Sequence, residues 1–67
     1  MTEMSKRVGH RVQRARLRRA WTQERLAAKA GISREYLARV ETGRHEPSLS
    51  KLASLAKALR VKVRDLV

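Results

Sequence analysis

Apolar residues recur at three- and four-residue steps along most of the chain, with polar residues filling the turns between them. Val8, Val12 and Ala15 make the buried stripe expected of a first helix over about Ser5 to Arg19. Lys6, Arg7, Arg11, Arg14 and Arg18 then stay solvated, Leu17 is left exposed, and Trp21 packs back over the core just beyond the helix. Leu26, Ala27 and Ala30 form the inner face of a second helix that begins at Thr22, a good N-cap, and runs to Ala30. Gly31 supplies the left-handed residue that closes it. A third helix starts at the capping residue Ser33, buries Leu37 and Val40, and stops near Thr42 and Gly43. After the loop Arg44–Pro47, Ser48 caps a fourth helix whose wide apolar stripe is Leu49, Leu52, Leu55, Ala56 and Leu59. A short fifth helix is expected from about Val63 to Val67, although Lys62 is a poor cap for it. Only "RVKVRDLV" alternates as a strand would, and it is short. Five helices with short connections predict a compact all-α domain occupying residues 1–67.

The second and third helices carry the chemistry. A small residue, Ala27, lies four positions before the turn glycine Gly31, and the core positions Leu37 and Val40 follow. These spacings make a helix-turn-helix over about residues 22–42. The major groove admits one α-helix and presents a distinct donor and acceptor pattern for each base pair. With Leu37 and Val40 facing in, Arg34, Glu35, Ala38 and Arg39 face out. Ala38 permits close approach, the arginine forks match guanine O6 and N7, and Glu35 can accept from cytosine N4. A plain solvated face with a Glu35–Arg39 pair four residues apart is the alternative, and it loses weight beside a complete helix-turn-helix spacing. The free N–H groups at the start of the second helix offer a phosphate seat, with side-chain donors from Thr22 and Gln23.

Charge supports a polyanionic partner. Seventeen Lys and Arg against six Asp and Glu give a net charge of +11. Residues 1–20 carry seven basic and one acidic residue, residues 21–47 five and four, and residues 48–67 five and one. The balanced middle suits selective contacts, and the basic flanks suit general attraction. Trp21 and Tyr36 are the only aromatics, too few for a reader of single-stranded RNA, so duplex DNA is expected. The chain has no Cys, and its two histidines are not at ligand spacing, so neither a metal nor another cofactor is expected. With no nucleophile elbow or phosphate-binding glycine loop, the sequence does not read as an enzyme. No apolar run reaches membrane-spanning length and no signal peptide is evident, so a cytoplasmic protein is expected.

The stretch "WTQERLAAKAGISREYLARVETGRHEPSLSKLASLAKAL" resembles the Cro/cI-type, or XRE-type, helix-turn-helix family of phage repressors and bacterial regulators. The resemblance runs from about Val8 to Leu66 and implies a lambda-repressor-like fold. "SREYLARVE" is also similar to the controller proteins of restriction-modification systems. The resemblance implies that Ser33, Arg34, Glu35 and Arg39 face the groove and read bases. It implies that Gln23 contacts a phosphate and braces recognition-helix side chains, and that Tyr36, Thr42, Arg44 and His45 meet the backbone. It also implies an ion pair between Arg16 and Glu41. The family's usual glycine after the first helix is here Ala20, which in a left-handed conformation costs roughly 1 kcal/mol. The expected function is a sequence-specific transcriptional regulator, a repressor acting as a homodimer on a palindromic operator. Val61, Val63, Leu66 and Val67 are the candidate dimer interface, with Leu59 left to the core. An antitoxin-type regulator that also binds a protein toxin, through a surface such as Leu17, is the alternative.

Overall fold

The structure is a computed structural model and describes residues 2–67. Four α-helices, α1 (Glu3–Arg18), α2 (Gln23–Ala30), α3 (Arg34–Glu41) and α4 (Leu49–Leu59), are followed by a single 3-10 turn at Val63–Asp65. The expectation of five helices is corrected to four. The last segment is too short for a helical turn to propagate. It is held by the Asp65 carboxylate, which accepts from the Lys62 N–H at 2.9 Å, and Leu66 then drops into the core.

Every helix starts on a hydroxyl. Thr2, Thr22, Ser33 and Ser48 accept the N–H of Ser5, Arg25, Tyr36 and Lys51 respectively. Each such cap satisfies one of the donors that the first turn leaves free, and contributes about 1 kcal/mol. The first helix therefore begins earlier than the expected start near Ser5, because Thr2 caps it.

Every helix also ends the same way. Trp21, Ile32, Arg44 and Val61 each donate a backbone N–H to the carbonyl five residues back, at 2.9–3.2 Å. That closure requires a left-handed residue just before the donor. The residues there are Ala20 (φ 57°), Gly31 (φ 71°), Gly43 (φ 77°) and Arg60 (φ 59°). Glycine enters this region freely, whereas Ala20 and Arg60 pay a steric cost of about 1 kcal/mol. The apolar residues that follow, Trp21, Ile32 and Val61, are half-buried and pack on the core.

The core is Val8 and Val12 of α1, Leu26 and Ala27 of α2, Leu37 and Val40 of α3, Leu52, Leu55, Ala56 and Leu59 of α4, and Leu66. Leu49 is a second correction. It is 75% exposed, because as the first residue of α4 it points away from the stripe that its later neighbours bury. Leu17 is exposed as the helical spacing requires.

Gly9 sets the distance between α1 and α3. A Cβ built on it would lie 2.2 Å from the Val40 carbonyl oxygen and 3.0 Å from that of Glu41. Only a residue without a side chain lets the two backbones approach this closely.

Candidate nucleic-acid interface

The α2–α3 pair is positioned from behind. Arg16 on α1 reaches Glu41 at the end of α3 with two parallel bonds, Nε to Oε2 at 2.7 Å and Nη2 to Oε1 at 3.0 Å. The Glu41 side chain is 1% exposed, and a third Arg16 group, Nη1, donates to the Trp21 carbonyl at 2.8 Å. A buried carboxylate so fully bonded is held in one place, and removing its partner leaves an uncompensated charge.

The ion pair does not stop at Glu41. Gln23 Nε2 donates to Glu41 Oε1 at 3.0 Å, and Gln23 Oε1 accepts from Arg34 Nη1 at 3.1 Å. A carboxylate only accepts, so it fixes which end of the Gln23 amide faces it. The other end then presents an oxygen to Arg34. A continuous chain of bonds thus runs from the core of the domain to the first residue of α3's outward face.

That outward face is otherwise free. Ser33, Arg34, Glu35 and Arg39 are all exposed. Glu35 and Arg39 form no ion pair; Arg16–Glu41 is the only one among the described residues. Ala38 leaves a shallow hollow lined by Arg39, Thr42 and Arg44. Unpaired charges around a small residue form a surface that waits for complementary groups, since an internally satisfied face would have closed on itself.

The flanks are ordered by contacts that periodicity does not reveal. Tyr36 and His45 meet edge to face with centroids 5.0 Å apart, and the His45 N–H donates to the Arg39 carbonyl. The loop beyond is tied to α1 through Glu46, whose carboxylate accepts from Ser5 Oγ at 3.1 Å and Thr2 Oγ1 at 3.4 Å. Thr22 sits exposed at the start of α2 and Gln23 is half-buried beside it. Thr42 is exposed, but its hydroxyl donates to the Ala38 and Arg39 carbonyls, so the proton a phosphate contact needs is turned inward. Arg44 and His45 are exposed.

At the C-terminal edge one expectation is corrected. Leu66 is 1% exposed and belongs to the core, so it cannot meet a second copy while the domain is folded. Val61 and Val63 are half-buried, and Val67 is 38% exposed.

A family model described as helix-turn-helix matches residues 12–66. The chain belongs to the helix-turn-helix family, of the XRE type. Helix-turn-helix relatives include the immunity repressor protein of Bacillus phage phi105, 47% identical over 60 residues, which are 90% of this chain and 42% of that protein. The chain thus spans less than half the length of the phage repressor. A second relative, the HTH-type transcriptional regulator y4dJ of Sinorhizobium fredii, is 40% identical over 65 residues, covering 97% of this chain and 84% of that one. Among solved structures, the restriction-modification controller protein C.AhdI from Aeromonas hydrophila superimposes with a TM-score of 0.91 at 33% identity, over 94% of this chain and 96% of its own. The clp gene regulator ClgR from Corynebacterium glutamicum gives the same TM-score at 31% identity, over 97% and 69%. This helix-turn-helix chain is a DNA-binding transcriptional regulator.

Two features of the site escaped the sequence reading. An isolated glycine inside a helical pattern was the available signal for Gly9. The Glu46–Ser5 tether joins residues 41 positions apart, and no local pattern announces it.

Proposed function

We propose that the regulator reads duplex DNA by laying the outward face of α3 in the major groove, as one half of a homodimer on a palindromic operator. The observation that carries this is the chain of bonds from Arg16 through Glu41 and Gln23 to Arg34. A base-reading arginine held before DNA arrives loses less freedom on binding, and a bidentate contact to guanine discriminates by about 1–3 kcal/mol. Arg39 and Glu35 read neighbouring edges, with Ser33 at the entry to the helix. Thr22, Tyr36, Arg44 and His45 meet phosphates on either side. Gln23 joins them through the second hydrogen of Nε2, and Thr42 does so only if its hydroxyl turns outward. Such contacts set register and carry no sequence information.

An eight-residue α3 is about 12 Å long and spans few base pairs. Two copies with their reading helices about 34–36 Å apart read two half-sites on one side of the duplex. Val61, Val63 and the exposed Val67 are the apolar residues available for that interface. Occupancy of the operator represses transcription, in keeping with the name of the phage relative. The toxin-binding alternative draws no support from any of the four relatives named above.

Selection from random duplex DNA at about 150 mM salt, where non-specific attraction is weak, tests the reading. An inverted repeat with half-site centres near one helical turn is expected. Enrichment of no sequence at all would overturn it.

A further inference from the structure

The helix-turn-helix accounts for one side of the domain. The opposite side carries a feature it does not use. Arg7, Arg11, Arg14 and Arg18 follow the i, i+4, i+7, i+11 spacing of one helix face and lie on α1 as a single row. All four are exposed, and none pairs with an Asp or Glu side chain among the described residues. At 1.5 Å per residue the row is about 16 Å long.

The direction of this row follows from helix geometry. Gly9 and Arg16 are two α1 residues that meet α3. Arg7 lies nine residues before Arg16, and Arg18 nine after Gly9. At about 100° per residue, nine residues are half a turn out of phase. The arginine row therefore faces directly away from α3. On α3, Val40 and Glu41 lie toward α1, Glu35 and Arg39 lie about half a turn away from them, and Arg34, seven residues before Glu41, sits at the edge of the exposed face. The reading face and the arginine row thus look out from opposite sides of a body 26 × 23 × 21 Å across. One groove cannot touch both.

We propose that the α1 arginine row is a second, sequence-neutral DNA surface that holds the phosphates of another duplex segment, so that the regulator bridges two segments. Charge complementarity selects this occupant. The row has guanidinium forks, which match phosphate oxygens, and no aromatic or amide side chain within it to read bases. Arg11 also donates to the Val67 main-chain oxygen and keeps four further N–H groups. Arg11, Arg14 and Arg18 share a groove with Val61, at the edge of the proposed dimer interface, and Asp65 is the only acidic residue lining it. The bridging function rests on α3 reading DNA as proposed above, whereas the phosphate-holding surface does not.

The test compares the native protein with a variant carrying Arg7→Gln, Arg11→Gln, Arg14→Gln and Arg18→Gln. Glutamine keeps helix propensity, and circular dichroism checks the fold of each protein. A duplex bearing the selected operator is immobilised, loaded with protein, and offered a fluorescent duplex of unrelated sequence. The native protein should capture the second duplex, and the variant should capture at least tenfold less. Affinity for the operator itself should change less than threefold at about 150 mM salt, because the row and the outward face of α3 lie on opposite sides of the domain, farther apart than the Debye length of about 8 Å. The log–log salt slope of capture should be close to −3.6, from about −0.9 per phosphate contact. Equal capture by both proteins, or no capture of the second duplex by the native protein, would overturn the proposal.

A third protein, with Arg34→Ala and Arg39→Ala, separates the two ideas. If α3 is not the reader, this protein keeps native operator affinity. If the arginine row is a DNA surface, it still binds random duplex, and that binding falls when the four glutamines are added.

Discussion

Glu41 and Glu35 sit six residues apart on the same short helix and lead opposite lives. Glu41 is buried, takes two bonds from Arg16 and one from Gln23, and ties α3 to α1 and α2. Glu35 is exposed, and Arg39, one turn away on the same face, does not pair with it. The inner face of α3 ties its charge into the protein itself, while Glu35 and Arg39 on the outer face stay unpaired. Residue type is the same in both places. What differs is burial, which makes an unpaired charge costly inside and nearly free outside. A reading helix needs both conditions at once: a fixed back to hold its angle, and an unsatisfied front.

The contrast is broken most severely at Glu41. Glu41→Ala should lower the unfolding free energy by about 3–5 kcal/mol, because Arg16 would be left charged and buried. Glu35→Ala should change it by no more than about 0.5 kcal/mol. Urea unfolding of both proteins, side by side, checks the pair, and similar losses would remove the distinction between the two faces.

Gly9→Ala comes next. The added methyl meets the Val40 carbonyl at a distance no packing tolerates, so α1 must move off α3. A loss of about 1–3 kcal/mol is expected, as for other overpacked cores. His10→Ala, on the exposed side of the same turn, is the control, and its melting temperature should stay near the native value.

On the outer face, stability and recognition should separate. Arg39→Ala should leave the melting curve in place while weakening the selected operator by about 1–3 kcal/mol and relaxing one base position. Arg44→Ala should weaken all sequences alike and flatten the log–log salt dependence by about 0.9. Titrations against the operator and a scrambled duplex at several salt concentrations distinguish the two patterns. If Arg44→Ala changed base preference, the division between reading and positioning contacts would fail.

The smallest effect concerns the helix ends. Ala20→Gly and Arg60→Gly should each stabilise the domain by about 0.5–1 kcal/mol, the relief of left-handed strain less the extra chain entropy of glycine. Neither residue is on α3, so operator affinity should not follow the gain in melting temperature.

Much of this was legible in the chain because it depends on near neighbours. The hydroxyl caps Thr22, Ser33 and Ser48 and the glycine stops Gly31 and Gly43 act within one turn, and their sequence spacing is their spatial spacing. Leu26, Leu37, Val40, Leu52 and Leu55 mark the inner faces for the same reason. The terminal segment was harder to read. Helical spacing at Val63, Leu66 and Val67 suits a helix as well as a turn, and only the space beside α1 and α4 decided that Leu66 enters the core. Leu49 matched the apolar stripe by spacing, yet nothing lies opposite the first residue of α4 to cover it.

From the sequence alone followed the four main helices, with all their starts and stops but the start of the first, the helix-turn-helix spacing and the excess of positive charge. Each is a local or additive property of the chain. Tertiary structure alone decided how close α1 comes to α3 at Gly9, how Gln23 links the expected Arg16–Glu41 pair onward to Arg34, and how Glu46 returns to Ser5. It also decided that the arginine row and the outward face of α3 look in opposite directions. Those relations join residues distant in sequence, and they exist only once packing has set the distances and angles between helices.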